Sequence, residues 1–272
     1  MLLAIDAGNT QTVVGLFDGG GELSNHWRVS TQLERTADEL GLLVAQLLGM
    51  AGHDPFEAVS GVAISSSAPR VLGALRGMAQ GWFGSAPALV LEPGVRTGLP
   101  ILYETPRDVG ADRVANAVAA LERHGAPAIV VDFGTATTFD AVSAGGEYLG
   151  GAIVPGIEIG LEALFMRASH LRRVELVEPR AAIGRNPAES LQSGAIYGYA
   201  ALVDGLCARF EEELGASSVV ATGGLAELIV PYTRRVSRHE PWLTLHGLRL
   251  IYERNAPGAS GGSREGGDLG EH

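Results

Sequence analysis

Apolar and polar positions alternate along the chain in two distinct rhythms. Leu2-Leu3-Ala4-Ile5 is a continuous apolar block that reads as a buried strand, and Thr12–Phe17 resumes with β-type residues before Asp18-Gly19-Gly20-Gly21 turns the chain. With a further stretch around Trp27-Arg28-Val29, residues 2–31 predict a hairpin plus a third strand. Thr36 and Glu39 have capping-box spacing, and Leu40, Leu43, Val44, Leu47 and Leu48 then repeat at helical intervals. That pattern predicts an amphipathic helix ending near Gly49–Gly52. Val59–Ile64 and Ala88–Leu91 read as strands, with a helix over Pro69–Trp82 between them. The order strand, strand, strand, helix, strand, helix, strand predicts an α/β domain with a mixed sheet.

The pattern then starts again. Ala115–Leu121 has helical spacing, and Ala128-Ile129-Val130-Val131 is a second continuous apolar block. Two segments 126 positions apart match: Leu3-Ala4-Ile5-Asp6-Ala7-Gly8-Asn9-Thr10 and Ile129-Val130-Val131-Asp132-Phe133-Gly134-Thr135-Ala136. Both run from an apolar strand into Asp-x-Gly and then small hydroxyl or amide residues. Each continues into a β-rich stretch (Val13–Phe17; Thr138–Val142) and a Gly-Gly turn (Gly19-Gly20; Gly145-Gly146). A unit repeated at nearly half the chain length predicts two related lobes with a cleft between them. Residues 158–168 and 190–214 are helical by pattern, Val219–Ala221 reads as a strand, and Ala226–Ile229 opens a helix. The predicted organisation is a lobe over 1–114, a lobe over 115–254 and a disordered tail over 255–272, rich in Gly, Ser and charge.

Composition changes the picture mainly by exclusion. At 272 residues and 46% hydrophobic, the chain can bury a substantial core. A net charge of −11 opposes sequence-independent attraction to nucleic-acid phosphates. No apolar run reaches the ~18–20 residues of a membrane span. The first residues carry Asp6 and no basic segment, which does not fit a secretory leader. A single cysteine, Cys207, excludes an internal disulfide framework, suits the reducing cytoplasm, and reads as core beside Val203, Leu206 and Phe210. All 20 basic residues are arginine. Walker-type phosphate lysines, Schiff-base chemistry and the strand lysine of protein kinases are therefore out. Anions must be handled by backbone amides, hydroxyls, arginine or a metal.

Asp-x-Gly-x-Thr behind a buried strand has a mechanical rationale. Glycine lets a tight turn bring backbone N–H groups near an anion, while Asn9 and Thr10 add neutral donors. The strand-end Asp can hold a cation or metal-bound water against a phosphate. Gly110-Ala111-Asp112-Arg113 stands just ahead of the Val114–Leu121 helix. There Asp112 is either a dipole partner of the first turn or a carboxylate that takes a hydroxyl proton while Arg113 holds an anionic group. Thr222-Gly223-Gly224 either admits a flat ligand such as adenine to the backbone or simply turns strand into helix. Gly150–Gly156 either lines the cleft or bends the chain. The seven histidines show no metal-ligand spacing, and Ser65-Ser66-Ser67 reads as satisfying backbone groups.

Together, Asp6-x-Gly8-Asn9-Thr10, Gly110–Arg113, Asp132–Thr138, Gly150–Gly156, Thr222-Gly223-Gly224 and the closing Leu243–Tyr252 stretch resemble the type III pantothenate kinases over residues 1–254. The resemblance implies an α/β fold of two related actin-like ATPase lobes, each a ribonuclease H-like mixed five-stranded sheet with helices, flanking a nucleotide cleft. It implies phosphorylation of pantothenate by ATP in the cytoplasm, the first step of coenzyme A synthesis, by a homodimer. Asp112 is then the proton acceptor. Asp6, Ala7, Gly8, Asn9, Thr10, Gln11, Thr12 and Val13, with Thr135, bind ATP. Tyr103, Gly110, Ala111, Asp112, Arg113 and the position of Pro187 hold pantothenate, and Asp132 binds a monovalent cation, K+ or NH4+. A divalent ion, Mg2+, accompanies the nucleotide. One departure stands out: Pro187 replaces a threonine that in the family touches pantothenate, while Ser190-x-Gln192-Ser193-Gly194 is intact. Proline has no hydroxyl, so the substitution implies the loss of one neutral hydrogen bond, worth about 0.5–1.5 kcal/mol. A catalytically weak, regulatory relative and a kinase of the same superfamily acting on another alcohol or acid are the alternatives.

Overall fold

The computed structural model describes residues 1–168 and 171–256. The tail expected over 255–272 lies almost wholly outside them. The first half runs β1 (Leu2–Ala7), β2 (Gln11–Phe17), β3 (Leu23–Ser30), α1 (Ala37–Met50), α2 (Pro55–Ala58), β4 (Gly61–Ser66), α3 (Pro69–Trp82) and β5 (Ala88–Val90). The strands make a five-stranded sheet in the order β3-β2-β1-β4-β5. β1 and β3 are antiparallel to β2, while β4 is parallel to both β1 and β5. The capping box forms as the sequence predicts: Thr36 accepts from the Glu39 N–H, and the Glu39 carboxylate accepts from the Thr36 N–H at 2.8 Å.

The second half follows with α4 (Ala111–His124), β6 (Ala128–Phe133), β7 (Ala136–Val142), β8 (Tyr148–Pro155), α5 (Ile157–Arg167), α6 (Pro187–Ser193), α7 (Tyr199–Leu214), β9 (Ser218–Thr222), α8 (Ala226–Ile229), β10 (Arg238–His239) and α9 (Leu243–Asn255). Its sheet runs β10-β9-β6-β7-β8. This is the same topology, with β6 in the place of β1 and β9 in that of β4. Even the irregularity recurs, between Leu16 and Phe17 in β2 and between Ala141 and Val142 in β7. The 126-residue echo is therefore a true structural repeat.

Three differences from the sequence pattern have physical causes. The Gly150-Gly151 stretch is part of an edge strand, β8, and not a bend. A Cβ at Gly151 would stand 1.6 Å from the Phe139 carbonyl oxygen, so close strand pairing is what requires glycine there. The helix over 190–214 starts earlier, at Pro187, and passes through one wide turn at Gly194–Gly198. α4 begins four residues sooner than its apolar spacing suggests, because Gly110 serves as its cap.

Each sheet has an outer and an inner face. In the first half the outer face packs on α1 and α3 through Val44, Leu48, Val71, Leu75 and Met78. In the second it packs on the α5–α7 side through Ile157, Leu161, Ile196 and Val203. The inner faces share one core with α4 and α9. α4 presents Ala115, Ala117, Ala119 and Ala120 with no exposed surface, a helix thin enough to lie between packed elements. α9 crosses it closely: a Cβ on Gly247 would sit 1.9 Å from the Ala115 carbonyl oxygen. α9 also touches β1, β2 and β4, so this last described helix returns to the first sheet.

Candidate active site

β1 and β6 end side by side at the bottom of a cleft between the lobes. Thr10, at the β1–β2 turn, and Thr135, at the β6–β7 turn, place their hydroxyl oxygens 2.9 Å apart. Both turns close tightly, with Gly8 N–H donating to Gln11 O at 2.9 Å and Gly134 N–H to Ala136 O at 3.1 Å. The cavity around them has a volume of about 970 Å³, near the upper end of the ~300–1,000 Å³ common for ligand sites. Asp6, Gly8, Asn9, Thr10, Gln11, Val13, Asp112, Asp132 and Thr135 line it, and Gly223 and Gly224 form its wall from the second lobe.

Three aspartates share this space. Asp6 and Asp132 end equivalent strands, and Asp112 enters from the first turn of α4. Asp6 Oδ1 accepts from the Ser65 hydroxyl at 2.6 Å, and Asp132 Oδ2 from Asn116 Nδ2 at 2.9 Å. Asn116 follows Asp112 by one helical turn, and its own Oδ1 accepts from Thr244 of α9 at 2.8 Å. Burial, then repulsion from Asp112, pushes the Asp132 carboxyl up to about 7, with the Asn116 bond and Arg28 pulling it back. Asp6 is raised for the same two reasons, burial first and Asp112 second. Such a carboxylate gains most from a positive ion. Asp132 has one oxygen fixed by Asn116, and the other borders Gly223, whose added Cβ would come within 2.5 Å. Among the described residues no three His, Cys, Asp or Glu side chains gather as a metal cluster.

Several expected substrate residues stand beside the cavity and do not line it. Gly110 and Ala111 open α4, where a Cβ on Gly110 would meet Asp112 Oδ1 at 2.5 Å. Asp112 Oδ1 also accepts from the Arg113 N–H at 2.9 Å. Arg113 Nε donates to Asp140 at 2.8 Å, and the Tyr148 hydroxyl donates to the same carboxylate at 2.7 Å. Burial raises Asp140 while Arg113 and Tyr148 hold it part of the way down. Tyr103 packs edge-on to Tyr148, which places it beside the Arg113–Asp140–Tyr148 cluster. Ala7 and Thr12 are strand residues facing inward from the turn, and Thr12 shares a hydrogen bond with Thr31 at 2.8 Å. Pro187 does not line the cavity either; it stands in the first turn of α6, where Asn186 caps the helix and a missing N–H costs nothing. Sequence reasoning missed Ser65, Asn116, Thr244 and Arg28 as site residues. Only Asn116 left a trace, its i+4 spacing from Asp112 on a helix already flagged. Cys207 is buried, with its thiol pushed up to about 12 by that burial, as its core position implies.

Two sheets of identical topology clasping one cleft, with a strand-end Asp and hydroxyl turn in each, define the actin-like ATPase architecture. A solved structure of the (R)-2-hydroxyglutaryl-CoA dehydratase component A from Acidaminococcus fermentans has this fold, with a TM-score of 0.52 at 14% identity over 92% of this chain and 96% of that one. Within that architecture, residues 2–209 match the family model described as type III pantothenate kinase. The chain is 54% identical over 262 residues to the type III pantothenate kinase of Streptomyces griseus, covering 94% of this chain and 98% of that one. It is 57% identical over 256 residues to that of an Anaeromyxobacter species, covering 94% and 100%. The chain belongs to the type III pantothenate kinase family.

Proposed function

We propose that the chain transfers the γ-phosphoryl group of ATP to the primary hydroxyl of pantothenate, the first step of coenzyme A biosynthesis. The observation that carries this reading is the meeting of the two repeated turns, Thr10 to Thr135, in a cavity that Asp112 also lines. Phosphoryl transfer asks for charge neutralisation and in-line positioning more than covalent chemistry. Amides and hydroxyls of residues 6–13 and Thr135 hold the phosphates. Asp112 accepts the proton of the attacking hydroxyl, with Gly110, Ala111, Arg113 and Tyr103 placing pantothenate beside it. Pro187 forfeits one contact to that substrate. Asp132 holds K+ or NH4+, which offsets charge where the carboxylate is otherwise disfavoured. Mg2+ on the nucleotide supplies further positive charge.

Among the described residues no helix is long and apolar enough to cross a membrane. We infer a cytoplasmic homodimer with no nucleic-acid or membrane partner. Exposed apolar side chains on β8 and α5, Ile153 at 63% and Met166 at 82%, favour a second copy there. The lobes divide within α4, near residue 114. The test is ADP release measured with pantothenate, glucose, acetate or no acceptor, with and without K+. Release only with pantothenate and only with K+ or NH4+ is expected. Equal release with another acceptor, or none with any, defeats the proposal.

A further inference from the structure

Arg28 comes from the middle of β3, yet its guanidinium spans the cleft. Its Nη1 donates to Gln11 Oε1 at 3.1 Å on the first lobe's turn. On the opposite wall, a Cβ at Gly224 would lie 2.3 Å from the same nitrogen and 3.3 Å from Gln11 Oε1. The guanidinium carbon stands 5.5 Å from the ring centre of Trp242, which itself stacks on His26 at 4.0 Å. The arginine is thus propped between the two turns by an aromatic platform.

The charge balance of the cavity gives this placement meaning. Asp6, Asp112, Asp132, Glu158 and Glu162 line it, against Arg28 and Arg173 as the lining cations. Arg173 is bound to Glu162 at 2.8 Å. Arg28, among the described residues, has no carboxylate at ion-pair distance; its partner is the neutral Gln11. A guanidinium with a neutral partner, in a chain without lysine, has donors to spare for an anion.

Resting on the nucleotide reading above, we propose that Arg28 is a nucleotide-binding residue, whose guanidinium, seated between Gln11 and Gly224, donates to the phosphates of ATP in the cavity it lines. Charge-assisted hydrogen bonds of this kind contribute about ten- to a hundredfold in affinity. A purely structural role, tying the lobes through Trp242, is the competing explanation.

The test uses the full chain and the variants Arg28→Gln and Arg28→Lys, with ATP affinity by calorimetry, both KM values and thermal melting. Arg28→Gln is expected to raise the ATP Kd about tenfold or more, to leave the KM for pantothenate within about twofold, and to melt as the parent does. Arg28→Lys, which keeps the charge, is expected to recover part of the loss. The proposal is overturned if Arg28→Gln binds ATP as the parent does. It is equally overturned if both variants melt lower and raise both KM values together. If the parent binds ATP but does not phosphorylate pantothenate, the functional reading fails and Arg28 is still judged on its Kd.

Discussion

Asn116 has no exposed surface and uses both ends of its amide, donating to Asp132 and accepting from Thr244. Its donor is one of the forces holding Asp132 ionised against burial. Removing it in Asn116→Ala raises the proton affinity of Asp132, so the acid limb of the kcat–pH profile moves to higher pH. On the proposal that Asp132 holds K+, the concentration for half-activation should rise with it. The unpaired carboxylate and hydroxyl cost about 1–3 kcal/mol of stability. Rate profiles across pH 5–9, alongside urea unfolding, check both; an unmoved acid limb refutes the positioning role. Asp112 differs, because its expected part is proton transfer itself. Asp112→Asn should keep the fold and ATP binding but lower kcat by about 10²–10⁴. Near-normal turnover in that variant excludes Asp112 as the base.

At the scale of elements, the crossing of α4 and α9 decides where these side chains stand. α4 carries Asp112 and Asn116, α9 carries Thr244, and the helices touch at the Ala115 carbonyl through Gly247. Gly247→Ala puts a methyl group into that contact and is predicted to cost about 1–3 kcal/mol, as overpacking does. It should also lower kcat with the active-site side chains intact, measurable by denaturant unfolding and steady-state kinetics. A variant as stable and active as the parent would show the crossing to be slack. The same elements show what the sequence made legible. Short strands bounded by glycines and the capped helix at Thr36 announced themselves through local pattern. So did the paired turns, because a repeat is visible without coordinates. α9 did not: Leu243, Leu245, Leu248 and Ile251 are buried, but its polar residues interleave too evenly for one clear stripe. β8 was hidden by glycines that serve strand pairing, and Arg28 by a register that shows a strand residue but not the lobe it reaches across to.

For the whole molecule, the cleft is a store of disfavoured negative charge, which ties stability to pH. Asp132 is raised to about 7 and Asp6 is raised as well, while carboxyls in the unfolded chain titrate near 3.9. Between these limits the folded chain binds more protons than the unfolded one. Stability from these groups is therefore highest at the acid end of the window and falls as pH rises toward 7. Asp132→Asn mimics the protonated carboxyl and removes its share of that slope. In K+-free buffer with chelator, parent and variant should melt nearly together near pH 4, and the variant should melt several degrees higher at pH 8. One kcal/mol corresponds to roughly 2–4 °C for a chain near this size. Adding K+ at pH 8 should raise the melting temperature of the parent more than that of the variant, because the ion favours the ionised carboxylate. A constant offset between the two proteins across the pH range would mean that Asp132 is not held in the protonated form by its surroundings.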